Sequence, residues 1–132
     1  MRDAIMIDMR ILIVEDDELL AKALAWKLQK DGYEPLVVKD GVYGLQEAAH
    51  FKPHLILLDL TLPGEGGAEL LDKLRHQGDT KNIPVIIVTG SWDEGVRREV
   101  MALGAQDYLR KPFSVDALNL KIVRILTRAR AA

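Results

Sequence analysis

Four places in this sequence combine residue types that could do chemistry. They are the acidic run Glu15-Asp16-Asp17-Glu18, Asp59 directly behind Leu-Ile-Leu-Leu, Thr89 behind Val-Ile-Ile-Val, and Lys111 ahead of Pro112 and Phe113. Carboxylates brought within about 4 Å repel by about 4 kcal/mol at an effective dielectric near 20, so a cluster of them needs a compensating cation. Oxygen-only ligands with open positions suit Mg²⁺. A carboxylate held there, with an ammonium close by, is also a nucleophile for phosphorus, since aspartyl phosphates form by this route. The cation and the ammonium would shield the like charges of attacker and donor.

Each of these residues has a plainer role open to it. Asp16 or Asp17 can cap the helix that follows, with the other acids favouring its positive end. Asp59 can form a turn before Pro63 and Gly64. The Thr89 hydroxyl can bond a local backbone group, and Lys111 can be a solvated lysine whose backbone is restrained before Pro112. Convergence at one edge of a sheet is what raises the chemical reading above these.

The elements that would bring them together are legible. Apolar runs Ile11–Val14, Leu36–Val38, Leu55–Leu58 and Val85–Val88, with a weaker Tyr108-Leu109, read as strands, and unbroken runs suit strands buried on both faces. Between them, Leu20, Leu24 and Leu28 recur at helical spacing ahead of Gly32. Further helices are expected over Val42–Phe51, stopped by Lys52-Pro53, over Ala68–His76, ending at Gly78, and over Glu94–Leu103, ending at Gly104. Ser114 is a fitting N-cap for a last helix with Val115, Leu118, Ile122, Ile125 and Leu126 on its apolar side. Strands alternating with helices predict an α/β doubly wound parallel sheet of five strands, with ligands beyond the carboxyl ends of the strands. Residues 1–9 read as an N-terminal extension and residues 10–130 as one domain.

Composition sets the outer limits. The 132 residues are 48% hydrophobic and 29% charged, the balance of a single globular domain, and the 5% aromatic content leaves the core to Leu, Ile and Val. With no cysteine, disulfides, thiolate catalysis and Cys-ligated zinc are excluded. A net charge of −2 gives no electrostatic case for nucleic-acid binding. The one basic cluster, Lys121, Arg124, Arg128 and Arg130, reads as a solvated helix face. No apolar run reaches membrane-span length, and no signal peptide is evident, so a cytoplasmic protein with no membrane partner is expected.

Taken together, the motifs closely resemble those of the receiver domain of two-component response regulators. The match covers roughly residues 10 to 130, through Ile-Leu-Ile-Val-Glu15-Asp16-Asp17, Leu-Leu-Asp59-Leu-Thr-Leu-Pro63-Gly64-Glu-Gly-Gly67, Ile-Val-Thr89-Gly90 and Gly104-Ala-Gln-Asp-Tyr108-Leu-Arg-Lys111-Pro112-Phe113, in order and at similar separations. The resemblance implies a flavodoxin-like sheet of order 2-1-3-4-5. It implies Asp59 as phosphoacceptor, and a Mg²⁺ site made by Glu15, Asp16, Asp59 and the backbone carbonyl of Thr61. Thr89 and Lys111 would bind the phosphoryl group, Thr89 and Tyr108 would act as the switch pair, and Lys111-Pro112 would be a cis bond. The implied donor is a phosphohistidine on a histidine kinase or a histidine phosphotransfer protein. An output partner or domain would read the switch.

Some positions depart from the pattern. Gly66 stands where many relatives carry Asp, and Gly90 stands where alanine is common, which loosens the loop after Thr89. A phosphorylation-dependent homodimer is partly supported. Asp107 and Lys121 could supply one salt bridge across such an interface, but Ala117 sits where dimerising relatives often carry Glu. A phosphatase of the haloacid-dehalogenase type also uses an aspartyl nucleophile, with a second Asp two residues on; that place is Thr61 here. The expectation is therefore a signalling domain with at most slow self-dephosphorylation, not a turnover enzyme.

Overall fold

The computed structural model describes residues 9–63 and 66–131. All of the expected extension except Met9 lies outside these, as does Gly64. Strands β1 (Arg10–Val14), β2 (Glu34–Val38), β3 (Leu55–Leu58), β4 (Val85–Thr89) and β5 (Asp107–Arg110) alternate with helices α1 (Glu18–Lys30), α2 (Gly41–Phe51), α3 (Gly67–Arg75), α4 (Glu94–Ala102) and α5 (Val115–Ala131). The strands pair in parallel in the order β2-β1-β3-β4-β5.

The unbroken apolar runs are explained by the two cores they serve. Ile11, Ile13, Leu55, Leu57, Ile86 and Val88 pack with Leu24 and Leu28 of α1 and with Leu118, Ile122 and Leu126 of α5. Their strand neighbours Leu12, Val14, Ile56, Leu58, Val85 and Ile87 pack with Ala48 of α2, Leu70, Leu71 and Leu74 of α3 and Val100 of α4. Alternate residues of one strand thus feed opposite layers, so neither face can be polar. Each such side chain contributes roughly 1.5–3 kcal/mol on burial.

Helix ends follow from particular side chains. Asp17 caps α1 by accepting from the Leu19 and Leu20 N–H groups at 3.1 and 3.2 Å. Asp40 and Asp93 do the same for α2 and α4, and Ser114 Oγ accepts from Ala117 N–H at 3.0 Å. After α1, Gly32 at φ 100° lets the Tyr33 N–H reach back to the Leu28 carbonyl. Gly104 at φ 107° ends α4 the same way through Ala105 and Val100.

Three details differ from the pattern-based expectation. Strand β2 starts at Glu34, two residues before the apolar run, because an edge strand tolerates Pro35 and its missing N–H. Val115 is 47% exposed rather than on the buried side of α5; at the first position of the helix it stands beyond the layer it would join. Met9 is buried in the α1–α5 core, and its carbonyl accepts from Glu34 N–H at 2.9 Å.

Candidate functional site

Register sets the site. Val14 is level with Val38 and with Leu58, so the residues that follow, Glu15 and Asp59, emerge side by side at the carboxyl edge. Their backbones are held there: Glu15 N–H donates to the Val38 carbonyl and Asp59 N–H to the Val14 carbonyl, each at 3.0 Å. Asp59 and Glu15 are each only 3% exposed. With exposed Asp16 they bring carboxylate oxygens within 4.8 Å of one another, close enough to share one cation.

Lys111 reaches this group from the far side of the sheet, where its N–H donates to the Thr89 carbonyl at 2.7 Å. Its ammonium lies 2.7 Å from Glu15 Oε1 and 3.8 Å from Asp59 Oδ1. The lysine therefore pairs first with Glu15 and only secondarily with Asp59. The Lys111-Pro112 bond is cis.

Asp59 is the stressed member. Burial, and then the charge of Glu15, push its carboxyl up from the ordinary 3.8 to about 6, against the lowering influence of Lys111 and of the Thr61 N–H. One ammonium facing two buried carboxylates leaves negative charge over, and the donors are all oxygen. That set fits a hard divalent cation. Thr61 N–H and Thr61 Oγ1 both lie 3.3 Å from Asp59 Oδ1, with the hydroxyl 3.4 Å from Oδ2. Sequence reading assigned Thr61 only a carbonyl; a hydroxyl two residues after an Asp is the local signal that points to this second contact.

Thr89 is buried at the end of β4, and its Oγ1 accepts from Ser91 N–H at 3.2 Å. Accepting leaves the hydroxyl proton available to donate elsewhere. Tyr108 is buried at 8% exposure, and its hydroxyl donates to the Ser91 carbonyl at 3.0 Å. Thr89 and Tyr108 thus hold the same residue of the β4–α4 loop. Asp107 and Lys121, considered above as a pair between subunits, close on each other within the chain at 3.0 Å.

Gly67 had no stated reason in the sequence. A side chain there would collide with the Asp59 carbonyl oxygen and stand 2.7 Å from Leu60 Cα. Its N–H donates to the Leu60 carbonyl at 3.0 Å. The glycine lets the start of α3 press against the backbone that carries Asp59.

Known proteins resemble the chain over most of its length. A family model described as the response regulator receiver domain matches residues 11–123. The chain is 41% identical over 118 residues to the sensory transduction protein RegX3 of Mycobacterium tuberculosis, covering 89% of this chain and 51% of that protein. It is 33% identical over 119 residues to the phosphate regulon transcriptional regulatory protein PhoB of Escherichia coli, covering 90% and 52%. The chain spans about half the length of these relatives. Among solved structures, the receiver domain of the sensor histidine kinase PA1611 of Pseudomonas aeruginosa, with magnesium coordinated in its active-site cleft, superposes with a TM-score of 0.84. It is 28% identical, over 91% of this chain and 98% of that one.

Proposed function

The chain belongs to the response regulator receiver domain family of two-component signalling, and from that premise we propose that it accepts a phosphoryl group on Asp59. One observation carries the reading: a buried carboxylate, raised to about 6, stands among two further acids and one ammonium at a single sheet edge. Glu15, Asp16, Asp59 and the Thr61 carbonyl would hold Mg²⁺, which when bound supplies charge neutralisation for phosphoryl transfer. The magnesium in the PA1611 receiver domain supports that identity.

The chain's own groups do the rest. An Asp59 carboxylate oxygen bonds to phosphorus as the phosphorus–nitrogen bond of a phosphohistidine breaks, and the electron pair leaves on the imidazole, which takes up a proton. Lys111 trades part of its contact with Glu15 for the phosphoryl oxygens. Thr89 turns its free proton toward the same oxygens, and the loop tied to it through Ser91 follows. The phosphoryl group thereby favours the arrangement in which Tyr108 is buried and bonded to that residue. The surface around α4 and β5 changes, and a partner or output domain reads the change.

The donor would be a histidine kinase or a histidine phosphotransfer protein. The domain itself would not contact nucleic acid, given the net charge of −2. Self-dephosphorylation is slow in this reading, because Thr61 offers a hydroxyl where an acid–base carboxylate would be needed to activate water. Incubation with acetyl phosphate and Mg²⁺ should give a phosphate adduct by mass spectrometry that chelator or Asp59→Asn abolishes. An adduct that survives Asp59→Asn would end the proposal.

A further inference from the structure

We propose that Arg110 is a positioning residue for the loop behind Thr89, clasping it to β5 through Trp92 and Glu94 and favouring the arrangement in which Tyr108 is buried. This rests on the phosphoacceptor reading for its functional consequence, though the clasp itself does not.

The register makes the clasp. Arg110 is level with Thr89 on the neighbouring strand, as Tyr108 is with Ile87. Residues two apart share a face, so Tyr108 and Arg110 stand in line on the side covered by α4. Each takes hold of the loop between β4 and α4. Tyr108 holds the Ser91 carbonyl. The Arg110 guanidinium lies 4.6 Å from the Trp92 ring centroid, and its Nη2 donates to Glu94 Oε1 at 2.6 Å.

Trp92 is 67% exposed and belongs to neither core, so packing gives no account of a large aromatic here. Stacking under a guanidinium does. A planar fork can stack on a ring and pair with a carboxylate at once, which a lysine ammonium cannot. The Ser91 N–H that holds Thr89 Oγ1 sits in the same loop, so anything that steadies the loop also steadies that hydroxyl. An exposed cation–π contact and a partly exposed ion pair are individually small and together worth about a threefold to tenfold change in population. Coupling is reciprocal: a residue favouring the arrangement that the phosphoryl group selects tightens a phosphoryl mimic by a similar factor.

The test uses Trp26→Phe, which leaves Trp92 as the only one of the two tryptophans. Without any mimic, Arg110→Ala should raise acrylamide quenching of Trp92. With Mg²⁺ and beryllofluoride, Arg110→Ala should raise the half-saturating concentration about threefold or more. Arg110→Lys should recover this only in part, and Glu94→Gln should have little further effect once Arg110 is gone. Unchanged quenching, an unchanged or lowered half-saturation in a variant with a normal thermal melt, or complete rescue by lysine would each overturn the proposal. If the unaltered protein shows no Asp59-dependent response to beryllofluoride, the phosphoacceptor reading fails instead, and the quenching result still decides the clasp.

Discussion

At the scale of single residues, the cost of the site is concentrated on Asp59. Its carboxyl is raised from 3.8 to about 6, mainly by burial. Between those two values the folded chain binds more protons than the unfolded chain, so stability falls as pH rises through the window and levels off above it. The full penalty above pH 6 is roughly 2–3 kcal/mol. In cation-free buffer, Asp59→Asn should therefore melt higher than the parent at pH 7.5, with the gap closing toward pH 4. A gap that widens on acidification would contradict this. Mg²⁺ at about a thousand times its Kd should reverse the order at neutral pH, since it stabilises by about 4.1 kcal/mol and Asp59→Asn removes a ligand. Asp59 was readable as a residue with a task; the primary pairing of Lys111 with Glu15 was not, because it depends on where two side chains far apart in sequence end up.

At the scale of elements, the connections carry the chemistry and three glycines tune them. Gly67 has no room for a side chain against the Asp59 backbone. Gly67→Ala should cost about 1–3 kcal/mol through overpacking and weaken Mg²⁺ binding, measurable by denaturant titration and by calorimetry. Gly90 has open space around it and no left-handed backbone requirement. Gly90→Ala should add about 0.4–1 kcal/mol by restricting the unfolded chain, with metal binding unchanged. Gly66 caps α3 without a side-chain bond, and Gly66→Asp should add a few tenths of a kcal/mol by supplying one. The three substitutions look alike on paper and differ in sign because their surroundings differ. The glycine motif around Gly67 was visible in the sequence; which glycine is sterically required was not.

At the scale of the whole molecule, the Arg75 network and the candidate site stand at opposite ends of the sheet. Arg75, at the end of α3, donates to the Ile83 and Gly104 carbonyls at 2.9 Å and to the Gln106 side chain at 3.1 Å. Those residues lead into β4 and β5, whereas Thr89 and Lys111 leave them. Burial lowers the Arg75 pKa from its ordinary value. Arg75→Ala would take this donor from the Ile83 and Gly104 carbonyls, while the Gln106 oxygen keeps the Val85 N–H, and should cost about 2–4 kcal/mol. Acetyl phosphate labelling of Asp59 at a temperature where the variant remains folded should be unchanged; a parallel loss of labelling would show the two ends to be coupled. The Asp107–Lys121 pair is already closed within the chain, so a homodimer using it must first exchange partners.

By itself, the sequence determined the alternation of elements, the parallel sheet and the residues that gather at its carboxyl edge. Those depend on local period, on turn and cap chemistry, and on motif order, all of which are written along the chain. Only the tertiary structure decided that Lys111 lies nearer Glu15 than Asp59 and that Arg110 grips Trp92 and Glu94. Each is a contact whose existence turns on strand register and side-chain direction, where a shift of one residue sends the side chain to the other face.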